Sequence, residues 1–339
     1  MTTAPLVETT RGLSAESATR ECVHHGAIAV VDVAGRLLYG VGDPQTLCFT
    51  RSTLKPIQAL PFIEDGGLRQ FGFGSRELAL LCASHSGADM HLEGVRKILA
   101  ACGCGEDDLS CGVHAPLHFA AVGADPPAGA RWTQLHNNCS GKHSGFLAWC
   151  RLHGHPTRGY LDWDHPLQTR IRGQVARVLG APLESLVAGI DGCSAPNYAM
   201  PLAGIAHLYA RLAQGSADPE FGEAFGAIFT AMTGHPELVS GEARGDLAYM
   251  RTAPGDWISK AGADGVRVLG SRSAGLGLAV KVADGSARAL QVAVVEALGQ
   301  LGLLQGRSGE LLAAWKNPAI RNHRGLQTGA VRPIFNLRR

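Results

Sequence analysis

The placement of β-prone and helical periodicity along the chain constrains its fold more than any single motif. Apolar β-prone runs gather towards the two ends. Residues 26–32 and 36–41 are split by Ala34-Gly35 as a hairpin, and 46–50 follows them. Residues 257–262, 266–269 and 276–282 form a second group, followed by an amphipathic helix over 286–301. Helical patterns fill most of the interval between the groups. Strand-like runs at both ends with helical patterns between them point to an α+β fold. A length of 339 residues suits a single domain, 1–339, with two lobes, and the proline-rich link at 125–127 is the candidate lobe boundary.

In chain order, residues 1–20 read as a polar entry loop. A helix starts near Ser52, carries Pro56 in its first turn, where no donor is needed, and runs to Glu64 before Gly66-Gly67. Ser75 caps a helix over 76–82 that ends in the small polar loop 83–87, and another helix spans 91–101. Helical patterns follow at 146–152, 166–179, 197–213 and 218–233, with an apolar strand-like run at 186–190 and a polar loop at 237–246. After Leu301 the pattern gives a short helix and a polar tail, with Arg338 and Arg339 as a frayed end.

Hydrophobic residues make up 45% and charged residues 18%, and the net charge is +2 with no basic run interleaved with aromatics, which speaks against nucleic-acid binding. With no basic-plus-apolar leader and no apolar run of 18 residues, a cytoplasmic protein is expected. The nine cysteines are odd in number and are expected to be free thiols; Cys102, Cys104 and Cys111 lack a second pair at zinc-finger spacing.

Three stretches carry chemistry. In Ser52-Thr53-Leu54-Lys55 a hydroxyl and an amine sit one helical turn apart, so both face the same side. A serine is a poor nucleophile at neutral pH unless a base stands beside it, and a lysine whose charge is disfavoured can be that base. The ten residues 136–145 hold two histidines, two asparagines, a cysteine and a lysine at a helix N-terminus, a concentration of donors and bases beyond what a structural helix start needs. Asp191-Gly192-Cys193 presents an acid and a thiol after an apolar run.

The order Ser52-x-x-Lys55, then Ser84 in a loop, then Lys260-Ala261-Gly262 on a late strand matches the grammar of serine β-lactamases and penicillin-binding proteins, which implies an antiparallel sheet of N- and C-terminal strands flanked by helices, with a mainly helical lobe. Ala261 in place of threonine disfavours an ordinary β-lactamase. The motifs in full are Arg51-Ser52-Thr53-Leu54-Lys55-Pro56-Ile57-Gln58, Cys82-Ala83-Ser84-His85-Ser86-Gly87, His136-Asn137-Asn138-Cys139-Ser140-Gly141-Lys142-His143, Asp191-Gly192-Cys193-Ser194-Ala195-Pro196 and Lys260-Ala261-Gly262. Together they resemble the asparaginase II family of the Rhizobium etli type, the third structural class of L-asparaginases, over residues 7–302.

The resemblance implies a serine β-lactamase/glutaminase-like fold and hydrolysis of L-asparagine to L-aspartate and ammonia. It makes Ser52 the nucleophile and Lys55 its general base, with Ser84 and Lys260 completing a doubled Ser-Lys site. It also implies a zinc ion held by Cys139, Lys142 and Cys193, and a homodimer. A substrate with an α-carboxylate and an α-ammonium needs a cation and an acid, for which Arg51 and Asp191 are the candidates, with Asn138 and His143 as polar lining. The backbone N–H of Ser52 is a candidate oxyanion donor. Two alternatives stay open: a non-catalytic amino-acid-binding paralogue, and the same fold acting on glutamine or another amide.

Overall fold

The computed structural model describes residues 2–14, 17–304, 310 and 312–339. Among them the strands are β1 (Ala4–Arg11), β2 (Thr19–Asp32), β3 (Leu37–Val41), β4 (Leu47–Phe49), β5 (Val187–Ile190) and β6 (Pro196–Pro201). They continue with β7 (Trp257–Gly262), β8 (Val266–Ser271), β9 (Leu276–Val282), β10 (Ala319–Arg321) and β11 (Gln327–Pro333). The helices are α1 (Lys55–Glu64), α2 (Gly67–Phe71), α3 (Ser75–Leu81), α4 (Asp89–Ala101), α5 (Leu117–Val122) and α6 (Ser140–Leu152). After them come α7 (Pro166–Leu179), α8 (Leu202–Gln214), α9 (Gly222–Gly234), α10 (Pro236–Val239), α11 (Gly245–Thr252) and α12 (Ala287–Gln300). None of the described helices is long and apolar enough to cross a membrane.

The chain forms two compact units: Met1–Thr53 with Met200–Arg211 and Ser259–Arg339, and Leu54–Ala199 with Leu212–Ile258. Residues 125–127 fall inside the second unit, so the proline-rich link is a surface loop and not a boundary.

The first unit is built on an antiparallel sheet in the order β10-β11-β1-β2-β9-β8-β7, with β3 also paired to β2. Its longest strand, β2, pairs through its first half with β1 (Val7 opposite His24) and through its second half with β9 (Ile28 opposite Val280) and β3 (Val30 opposite Tyr39). That second half is the unbroken run Ala27-Ile28-Ala29-Val30-Val31, all at 0% exposure, as a strand covered on both faces requires. Helix α12 covers β1, β8, β9 and β11. Gly277 on β9 lets α8 approach closely, since a Cβ there would collide with the carbonyl oxygen of Ala206.

Three expectations fail in this unit. The entry loop is instead β1, which buries Leu6, Val7, Thr9 and Thr10; adjacent threonines break the alternation that would have announced a strand. The polar tail contains β10 and β11, and β11 pairs with β1 from Val7 opposite Pro333 to Arg11 opposite Gly329. Nor is the end frayed: Arg338 bridges to Gly40, and the Arg339 guanidinium lies 5.8 Å from the Tyr39 ring centroid. The short helix expected after Leu301 falls largely on residues 305–309 and 311, outside the described residues.

The second unit is mainly helical. Helix α1 has Pro56 in its first turn, and Asp65 closes it ahead of a left-handed Gly66 at φ 83°. Helix α6 begins at Ser140, inside the polar stretch, and is buried from Ser140 to Cys150. Its glycines make this possible: a Cβ at Gly141 would strike the Leu80 carbonyl, and one at Gly145 would lie 2.6 Å from Leu81 Cγ. The helix expected over 197–213 is divided. Residues Asn197, Tyr198 and Met200 are buried in β6, which pairs with β5 (Ala188 opposite Tyr198), and α8 starts only after Pro201. The polar loop expected over 237–246 contains most of α10 and the start of α11.

Candidate active site

In the first unit the chain leaves β4 and enters a 3-10 turn, Arg51–Leu54, directly before α1. The turn is fixed by Thr53, whose N–H and hydroxyl both donate to the Thr50 carbonyl at 3.1 and 2.7 Å, and by the Tyr209 hydroxyl donating to the Thr53 carbonyl at 2.9 Å. Ser52 is half-buried on this turn. Arg51 adopts φ 49°, a left-handed backbone that costs a non-glycine residue roughly 1–2 kcal/mol. Its guanidinium pairs with Asp264 in the β7–β8 turn, also left-handed at φ 57°. Close approach is allowed by Gly262, where a Cβ would lie 3.0 Å from Arg51 Cβ and from the Thr50 carbonyl oxygen. Lys260, two residues earlier on β7, is fully buried, and its Nζ donates to the Ala261 carbonyl at 3.1 Å. Arg51, chosen on sequence for a substrate carboxylate, thus has Asp264 as its carboxylate partner in this structure.

In the second unit Lys55 is 1% exposed, and its Nζ donates to the Ala83 carbonyl at 2.5 Å and to Ser84 Oγ at 2.9 Å. No carboxylate among the described residues forms an ion pair with it. The loop bearing Ser84 is held by main-chain bonds: Ser84 N–H to the Val239 carbonyl at 2.9 Å and His85 N–H to the Asn138 carbonyl at 3.1 Å. The Arg244 guanidinium donates to the Ser84 carbonyl at 2.7 Å. Sequence reasoning passed over Arg244, because an arginine in a polar loop carries no signal until its loop is folded.

The polar stretch and the Asp191 segment meet around a sulfur pair. Lys142 Nζ donates to Cys193 Sγ at 3.0 Å, and the Cys139 thiol is hydrogen-bonded to the same sulfur. All three side chains are at most 5% exposed. The bond from Cys139 holds the Cys193 thiol far below its usual range despite burial, with the Lys142 charge assisting; Cys139 is correspondingly raised. Burial opposes the charge on Lys142, but the Cys193 and Cys139 sulfurs outweigh it, and Asp191 adds to their field, so Lys142 is held protonated. The pair is best described as a buried thiolate and ammonium with a thiol donating to the thiolate.

His143, on α6 beside Lys142, is pulled down to about 4 by burial and by the Lys142 charge. Its Nδ1 lies 2.7 Å from the Tyr160 hydroxyl, which accepts the Ser110 N–H at 2.9 Å and so donates its own proton to the imidazole. Asp191 forms a tight turn, accepting the Gly192 N–H on Oδ1 at 2.9 Å and the Ser194 N–H on its carbonyl at 2.9 Å. Asn138 Oδ1 lies 3.4 Å from Cys139 Sγ, and the Asn138 N–H donates to His114 Nε2 at 3.0 Å. Asn138 therefore orders the cysteine loop, a structural duty the sequence did not reveal.

Two sulfurs, with an amine bonded to one of them, are a donor set that suits zinc, provided Lys142 gives up its proton. Among the described residues no three histidine, cysteine or acidic side chains group to hold an ion, so any metal here depends on Lys142 as the third ligand. All nine cysteines are free, and Cys102 and Cys111 are pushed by burial up to about 12, as inert core thiols.

No curated protein sequence gives a significant match. Among solved structures the chain is similar to a β-lactamase from Mycobacterium bovis, 15% identical with a TM-score of 0.35 over 86% of this chain and 95% of that one. Mglu in its native form is 16% identical, with a TM-score of 0.38 over 83% of this chain and 62% of its own. Simvastatin synthase LovD from Aspergillus terreus is 11% identical, with a TM-score of 0.31 over 78% and 90%. The family model of L-asparaginase II matches residues 7–333, nearly the whole sequence. The chain belongs to the L-asparaginase II family.

Proposed function

We propose that this amidohydrolase is an L-asparaginase that converts L-asparagine to L-aspartate and ammonia through a covalent intermediate on Ser52. The observation that carries the reading is the buried Lys55 amine, bonded to Ser84 Oγ at 2.9 Å one helical turn along the chain from Ser52. The amine is buried among neutral oxygens, with no carboxylate paired to it among the described residues, which is where a base for Ser52 would be held.

In the proposed sequence the Ser52 hydroxyl attacks the side-chain amide carbon while its proton passes to an amine, Lys55 being the base and Ser84 a relay towards Lys260. The C–N bond then breaks, the leaving nitrogen takes a proton from the amine and departs as ammonia, and an aspartyl ester remains on Ser52. Water adds to the ester, its proton returning through the same amine, and L-aspartate is released. This requires the Lys55 and Lys260 amines to reach the Ser52 hydroxyl. The Ser52 N–H, on its 3-10 turn, is the proposed oxyanion donor; such a donor contributes about 3–4 kcal/mol in acyl transfer. Asp191 is the proposed partner of the substrate ammonium.

Cys139, Lys142 and Cys193 would hold a zinc ion. Such an ion supplies a fixed positive charge that orders the two cysteine loops and Asp191 beside them. The test is ammonia release from asparagine and from glutamine on one purified sample, with its metal content measured. Faster turnover of asparagine is the expected result. Faster turnover of glutamine reassigns the substrate, and asparagine-dependent thermal stabilisation with no ammonia from either amide makes the chain a binding paralogue.

A further inference from the structure

The loop carrying Ser84 also carries a fully buried imidazole that the proposed chemistry leaves unused. His85 is 0% exposed, and both ring nitrogens are bonded. Gly87 N–H, which can only donate, lies 3.2 Å from Nδ1, so the ring proton sits on Nε2 and is donated to Ser140 Oγ at 2.8 Å. Ser140 passes its own proton to the Leu135 carbonyl at 2.8 Å. The His85 ring stacks on His91, with centroids 5.1 Å apart and planes 14° from parallel. His91 Nδ1 accepts the Ala88 N–H at 3.2 Å, which leaves its Nε2–H to donate to the Glu237 carbonyl at 3.0 Å.

Every donor and acceptor in this chain of bonds has one role, and none can be reversed without orphaning a buried group. Its two ends are chemically loaded. At one end, the residue before His85 is Ser84, the acceptor of the Lys55 amine. At the other, Ser140 is the first residue of α6, directly after Cys139 and within one turn of Lys142 and His143. A shift of the α6 head is thereby passed to the Ser84 loop through a bond that solvent cannot replace.

We propose that His85 is a positioning residue whose bond to Ser140 couples the Lys55–Ser84 pair to the Cys139–Lys142–Cys193 cluster. Its consequence for turnover rests on the function proposed above; the coupling itself does not. Three variants of the full chain isolate the bond. Ser140→Ala removes the acceptor. His85→Asn keeps an oxygen for the Gly87 N–H but cannot reach Ser140. His85→Gln restores an N–H at the reach of Nε2 and serves as the conservative rescue.

Two readouts are taken on each variant. One is the peptide-resolved rate of iodoacetamide labelling at Cys193 in metal-free protein, and the other is kcat and KM for amide hydrolysis across pH. Ser140→Ala and His85→Asn are each expected to speed labelling about fivefold and to lower kcat about tenfold with KM within about twofold, the scale of one lost buried hydrogen bond. Both should also shift the base limb of the pH profile, the double variant should be no worse than either single one, and His85→Gln should recover both readouts. Unchanged Cys193 labelling in Ser140→Ala overturns the coupling, as do single effects that simply multiply in the double variant. A wild-type chain that hydrolyses no amide defeats the proposed function, and the labelling arm still decides the coupling.

Discussion

The role proposed for Lys55 in the reaction is separable by experiment from its part in the stability of its surroundings. Its amine is 1% exposed against the Ala83 carbonyl and Ser84 Oγ. A buried amine needs polar partners, whereas a methionine of similar length does not. Lys55→Met is therefore expected to keep its thermal midpoint within a few degrees while kcat for amide hydrolysis falls roughly 10²–10⁴-fold, the usual contribution of a positioned base. Parallel melting curves and ammonia assays check this; comparable turnover in the variant would remove Lys55 from the reaction.

The buried imidazoles give a second expectation. Burial holds His85 and His91 below the ordinary histidine value of about 6.5 and brings His143 down to about 4, so all three are neutral in the fold at neutral pH. Below about pH 6.5 the unfolded chain takes up protons that the folded chain refuses. Stability is therefore present above that pH and is lost as pH falls towards the folded values. For His143 alone the span from 6.5 to about 4 corresponds to roughly 3 kcal/mol. Urea denaturation of metal-free protein at pH 7.5, 6 and 5 should show a falling midpoint; a flat profile would mean that these rings are protonated or exposed.

At the scale of elements, local chemistry that acts alone was legible and chemistry that needs a neighbour was not. The expected end of α1 at Glu64 is observed, because a glycine stop acts locally, and β7 and β9 coincide with the expected runs 257–262 and 276–282. The first turn of α6 was hidden by its own composition. Polar residues and glycines suggested a loop, yet the glycines are there because α3 lies against them, and the polar groups have buried partners. β1 and β11 were missed for a related reason: each is identified by pairing with the other across the length of the chain. Gly141→Ala tests the account of α6. A methyl driven against the Leu80 backbone carbonyl should cost about 1–3 kcal/mol in chemical denaturation, the usual penalty for overpacking. A neutral or stabilising result would show that α3 and α6 part freely.

At the scale of the whole molecule, the first unit is assembled from three separated segments and the second from two, so a linear search for a boundary could not find the division. The same interleaving scatters the candidate residues. Arg51, Ser52 and Lys260 belong to the first unit, while Lys55, Ser84, Asn138, Cys139, Lys142, His143, Asp191 and Cys193 belong to the second. Motif order supplied the candidate residues, whereas Arg244, Asp264 and the His85–Ser140 bond appear only once the chain is folded. If zinc is bound at Cys139, Lys142 and Cys193 as proposed, its complete removal by a chelator is expected to raise KM for asparagine about tenfold or more with kcat less affected, because the proposed ordering of Asp191 would be lost while Ser52 is retained. An unchanged KM and pH profile after chelation would confine the ion to a structural role. The most direct test of the whole account is ammonia release from L-asparagine by the Ser52→Ala variant beside the wild-type chain, with matched melting curves. Loss of turnover to background in a folded variant is the expected result, and turnover at the wild-type rate would contradict it.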